Sequence, residues 1–85
     1  MAYSKTMATT VPVEPDADVD LLRWLARESF ERTAASELLQ ITDFTETVVP
    51  WEDIPPKIGQ QLGRPVEDFI WHRFTATAVR DAQSV

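Results

Sequence analysis

The sequence predicts an all-α fold, a small orthogonal bundle of about four short helices. Three observations lead there. Apolar residues recur at helical spacing from Val19 to Phe30, prolines and Gly63 punctuate the second half where helix ends would fall, and no stretch reads as a convincing strand. A chain of 85 residues has room for one domain. A fold that small buries only about 60 to 65% of its unfolded surface. With no Cys there is neither a disulfide framework nor a Cys-based zinc site, so packing of Trp, Phe, Leu, Ile and Val side chains must supply the stability.

Residues 1–15 carry Thr6, Thr9 and Thr10 between Pro12, Pro15 and short Val-containing pieces, with no helical repeat of apolar positions; they read as a flexible N-terminal arm. The helical domain spans 16–82, and 83–85 are a C-terminal tail. At 100° per residue, Val19, Leu22, Leu25, Ala26 and Phe30 share one side of a first helix, with Leu21 at its edge, while Asp20, Arg23, Arg27 and Glu31 fall opposite. Asp16, Asp18 and Asp20 are placed to cap its free N–H groups. Trp24 lies far from the apolar stripe, near Glu28. A second helix is expected from Thr33 through Leu38, Leu39, Ile41 and Phe44, or else one long helix over 17–44, since no Gly or Pro divides them. The β-branched run Thr45-Glu46-Thr47-Val48-Val49 before Pro50 ends it as a connector. Asp53 and the prolines after it set up a third helix bearing Ile58 and Leu62, which Gly63 stops. Pro65 opens the last, with Glu67 and Asp68 in its first turn and Val66, Ile70, Phe74 and Thr77 as its stripe.

One motif rises above composition. Gly59, Gly63 four residues on, and Phe69 six after that match helix-turn-helix spacing: Gly59 allows close approach, Gly63 takes the positive φ of the turn, and Phe69 plugs the angle between two helices. The stretch Ile58-Gly59-Gln60-Gln61-Leu62-Gly63-Arg64 resembles the end of a Myb or SANT repeat, over about residues 51–80, although that pattern has a Trp where Pro55 stands. The resemblance implies a three-helical domain whose helix from Pro65 is the recognition helix, in a transcription- or chromatin-type regulator. Members of that family bind either DNA or protein tails.

Charge decides between those partners. The chain carries 14 Asp+Glu against 8 Lys+Arg, a net −6. From Trp51 to Arg80 four cations (Lys57, Arg64, Arg73, Arg80) meet four anions (Glu52, Asp53, Glu67, Asp68), so there is no basic stripe to neutralise phosphates. The expected function is therefore a non-enzymatic, acidic protein-interaction module that binds another protein or itself, with Phe69, Trp71, Arg73 and Trp24 as contacts, because aromatics and Arg dominate interface energetics. The alternative is a sequence-specific DNA-binding helix-turn-helix regulator using Lys57, Arg64, His72 and Arg73. A nucleic-acid mimic would need more concentrated acidic runs. Trp24 and Trp71 also suit a core, as small bundles need large aromatics.

Catalysis and cofactors are not expected. Asp16-x-Asp18-x-Asp20 opens like a calcium loop, but Leu21 and Arg27 stand where Gly and a bidentate Glu are needed. His72 is the only His, with no triad or elbow signature around it. There is no P-loop or dinucleotide turn. The absence of a long apolar run and of a secretory pattern at Met1–Met7 leads to the expectation of a soluble intracellular protein, cytoplasmic or nuclear, without membrane contact.

Overall fold

Three segments rich in Thr and Val are strands, and they correct the all-α reading. The computed structural model describes residues 3–80, which form an α/β fold: β1 (Tyr3–Val13), α1 (Val19–Ser36), β2 (Gln40–Val49), α2 (Pro56–Leu62) and β3 (Ile70–Arg80). The sheet is antiparallel throughout, in the order β1-β3-β2, so the last strand sits in the middle. Tyr3 pairs with Arg80 and Val13 with Ile70 on one side of β3; Gln40 pairs with Val79 and Val49 with Trp71 on the other, with an irregularity between Ile41 and Asp43. The segment expected as an arm, 3–13, is thus strand β1, because pairing with β3 satisfies its backbone and its β-branched residues suit the pleat. The expected tail, 83–85, lies outside the described residues.

The first helix forms where its apolar period and cap require. Asp18 accepts a hydrogen bond from Leu21 N at 3.1 Å, and Phe30 and Ala34 are buried against the sheet. It ends at Ser36, well before Phe44. Leu39 N reaches back to Ala34 O at 2.8 Å, closing the last turn, and Leu38 takes a left-handed φ of 61°. A Leu side chain is strained in that conformation, and this one is exposed. Leu38→Gly is accordingly expected to stabilise the fold by about 0.5 to 1 kcal/mol in urea denaturation, strain relief outweighing the added chain entropy.

The helix-turn-helix reading fails at a definite place. α2 and its stop are present, with Gly63 at φ 78° and Arg64 N donating to Gly59 O at 3.1 Å. Gly59 is buried, and a Cβ there would lie 2.7 Å from Arg64 O, so close approach does need glycine. Past this turn the chain forms no recognition helix. Val66–Asp68 is a single 3-10 turn, and the backbone is extended from Phe69 onward. β3 gains two full ladders of hydrogen bonds by lying between β1 and β2, which an isolated helix of that length could not match. Nothing in the fold supports a Myb or SANT domain.

Two small cores lie on opposite faces of the sheet. Under α1, Phe30, Ala34 and Leu39 meet Phe74, Ala76 and Ala78 of β3, with Met7, Val11, Ile41 and Phe44 packed around them. Phe44 stacks on Phe74 at 5.9 Å and meets Phe30 edge-on at 6.1 Å. On the other face, residues 50–69 fold over one end of the sheet as a cap, in which Ile54 and Val66 bury Trp71 and Val49, Ile58 and Phe69 surround them. The rest of that face is bare and carries Thr6, Thr75, Thr77 and Thr45 in register. No helix among the described residues is long and apolar enough to cross a membrane.

Candidate functional site

Alternation along β3 puts Trp71 and Arg73 on the same face, the one the cap half covers. Across the ladder, Pro12 lies opposite Trp71 and Thr10 opposite Arg73. Between these strands and the cap is a cleft of about 330 Å³, lined by Thr10, Pro12, Ile54, Ile58, Leu62 and Trp71, with Asp53 and Arg73 as its charges. Its walls are largely apolar and its few polar groups converge, the usual make-up of a small binding site.

Arg73 is the distinctive residue. Its Nε donates to Thr10 Oγ1 at 3.1 Å, which fixes the guanidinium, and no carboxylate lies within ion-pair distance of it among the described residues. Most other cations are engaged: Lys5 with Glu37, Arg23 with Asp20 and Glu46, Arg27 with Glu31, Arg32 with Glu28, and Arg64 with Glu14. In a chain of net charge −6 an unneutralised, positioned Arg beside an apolar cleft is available to an anion.

The other sequence-predicted residues are spread out. Trp71 is 3% exposed, its indole donates to Val66 O at 2.8 Å, and it lines the cleft. Phe69 packs edge-on to Trp71 at 6.0 Å and carries the Arg64 guanidinium 4.6 Å above its ring. Trp24 lies on α1, across the sheet from the cleft, 60% exposed, with Leu21 and Leu25 also exposed within a turn of it. The set suggested for DNA forms no common surface: Arg64 is tied to Glu14 and Asp68, His72 is buried under α1, and Arg73 faces the opposite side of the sheet. The sequence alone does not single out Thr10, Pro12, Ile54 and Leu62 as site residues, since the first two read as part of an arm and only the sheet gathers them.

From the exposed side of α1 down to a buried His runs a chain of charges the sequence did not announce. Asp20 and Glu46 both accept from Arg23, at 2.6 and 2.5 Å, and the second oxygen of Glu46 lies 2.8 Å from His72 Nδ1. The His72 ring stacks on Phe74 at 6.2 Å. The Arg23 guanidinium, then His72, holds the Glu46 carboxyl below its ordinary 4.5, against the opposing effect of burial. A lowered carboxyl stabilises the fold fully above its ordinary value, and that contribution disappears as pH falls through the folded value. The stability difference between the natural chain and Glu46→Gln is therefore expected to shrink as denaturation is repeated from about pH 6 to about pH 3. A difference that stays constant with pH would show that Glu46 stabilises by packing alone.

Among the described residues no group of three or more His, Asp or Glu side chains is arranged to hold a metal ion. Comparison with known protein families, with curated proteins and with solved structures finds no match to this chain.

Proposed function

We propose that this chain is a non-enzymatic protein-interaction module that holds a short apolar segment of a partner in the cleft between the cap and the sheet, with Arg73 receiving a carboxylate. The observation that carries the reading is the Arg73 guanidinium, fixed by Thr10 and free of any acidic partner among the described residues, at the mouth of an apolar cleft. The cleft volume suits one aliphatic side chain and its flanking peptide groups. Asp53 on the same lining suits an amide N–H of the segment, so a carboxyl-terminal aliphatic residue satisfies both charges. The interaction role expected from composition is kept here, with Trp71 and Arg73 of the expected contacts on the cleft and Phe69 and Trp24 outside its lining. The transcription or chromatin setting is not kept, since it rested on the helix-turn-helix resemblance.

The test is a two-dimensional NMR titration with acetyl-Gly-Gly-Leu as the free acid and as the carboxamide. Saturable shifts at the Trp71 indole N–H and the Arg73 Nε–H are expected for the acid. Arg73→Gln should weaken that binding at least tenfold, in keeping with the about 1.5 to 3 kcal/mol of a hydrogen bond to a charged group. An equal response to acid and carboxamide, or none to either, overturns the proposal.

A further inference from the structure

β1 is an edge strand, and its outer side is built for pairing. Over Tyr3–Val11 it is regular and carries a single charge, Lys5, with its first proline at position 12. Long, flat, nearly uncharged edges are what proteins ordinarily avoid unless another strand covers them. The opposite edge is treated differently. β2 has a register irregularity between Ile41 and Asp43, and carries Asp43 and Glu46. A bulged, acidic strand discourages a second ladder, whereas the one charge of β1 before Pro12, Lys5, is already paired with Glu37 of its own chain.

We infer that two copies of this chain associate through β1, edge to edge and antiparallel, to make one continuous six-stranded sheet. The register follows from the strand itself. Alternate residues turn their N–H and C=O groups outward, so an antiparallel pair of identical strands has its two-fold axis through a residue. Centring on Met7 uses all nine residues from Tyr3 to Val11 and stops before Pro12, which has no N–H to give. In that register Lys5 of one copy faces Thr9 of the other, and Tyr3 faces Val11, so no like charges meet. Thr6 faces Ala8 on the bare face. Because the same patch meets itself, the assembly closes at two copies. Thr10 of β1 belongs both to this ladder and to the cleft wall, but the ladder uses its backbone and needs no ligand in the cleft, so the inference does not rest on the function proposed above.

The cysteine-free chain allows a direct test of both state and register. Light scattering after size exclusion should give twice the chain mass. A Thr6→Cys/Ala8→Cys double variant should cross-link the copies on mild oxidation. Directly opposed residues sit about 4.5 to 5.5 Å apart at Cα, which a disulfide spans. Either single variant should not cross-link, since each cysteine would then face its own copy diagonally, at about 8 Å. Both sites are exposed, so Thr6→Lys/Ala8→Lys is expected to keep the circular dichroism and return the mass to one chain. Four outcomes would overturn the inference: a monomer at high micromolar concentration, a dimer indifferent to the lysines, open-ended assembly, or a double variant that does not cross-link.

Discussion

Phe74→Ala is expected to remove about 3 to 5 kcal/mol of stability, a large share of the about 5 to 15 kcal/mol that holds a natural domain together. Phe74 is 1% exposed and stands where the elements under the helix converge: it stacks on Phe44, lies beside the His72 ring, and shares a cluster with Phe30. Removing it leaves a cavity that Ala76 and Ala34 are too small to fill. The measurement is urea denaturation followed by circular dichroism. A loss below about 1.5 kcal/mol, the range of volume-conserving swaps, would mean the core had collapsed onto the gap.

Trp71→Ala is expected to cost a similar about 3 to 5 kcal/mol, with a different distribution. Trp71 is the only side chain of β3 in the cluster that anchors the cap, and its indole holds Val66 O. The helix-side core does not touch it. Hydrogen exchange should therefore show amides of Ile54–Leu62 losing protection by about a hundredfold or more while those of Phe74–Ala78 remain slow, the mark of a locally opening unit. Trp71→Phe, which keeps the ring but not the N–H, should restore most of the protection. Uniform loss across the sheet would show that cap and sheet unfold as one.

The parts of the fold legible in the sequence are those whose signals are local. Asp16, Asp18 and Asp20 around the start of an apolar period, and Gly63 after Ile58 and Leu62, each mark a helix end with a mechanism; α1 is capped by Asp18 of the three, and α2 stops at Gly63. The strands failed for a reason specific to each. β1 has Thr6 and Ala8 where strand propensity favours bulk, because away from the cap that side of it is exposed. β2 places Ile41 and Phe44 three apart across its irregularity, imitating a helical step; the β-branched Thr42, Thr45, Thr47, Val48 and Val49 were the contrary signal. β3 is covered on both faces between Trp71 and Phe74, by the cap and by α1, and adjacent buried residues erase the two-residue period. Further along, Thr75-Ala76-Thr77-Ala78-Val79 alternates properly, with Ala inward because Phe30 and Ala34 leave little room. The cleft inherits that failure: Arg73 and Trp71 were legible as residue types, but Thr10 and Pro12 reach them only through pairing between opposite ends of the chain.

That the central strand is the last one made governs how the chain acquires its structure. Neither outer strand has anything to pair with until Ile70–Arg80 has been synthesised, so α1 and the cap emerge without the surface they cover. The ladder joining Tyr3 to Arg80 must close all the described residues into a loop before that pair can form. Folding is therefore deferred until β3 has been made and is paced by long-range encounter, which places this fold among slow folders for its size. A nascent chain stalled before residue 70 would hold its apolar residues unprotected, as a client for chaperones and not as a partly working protein.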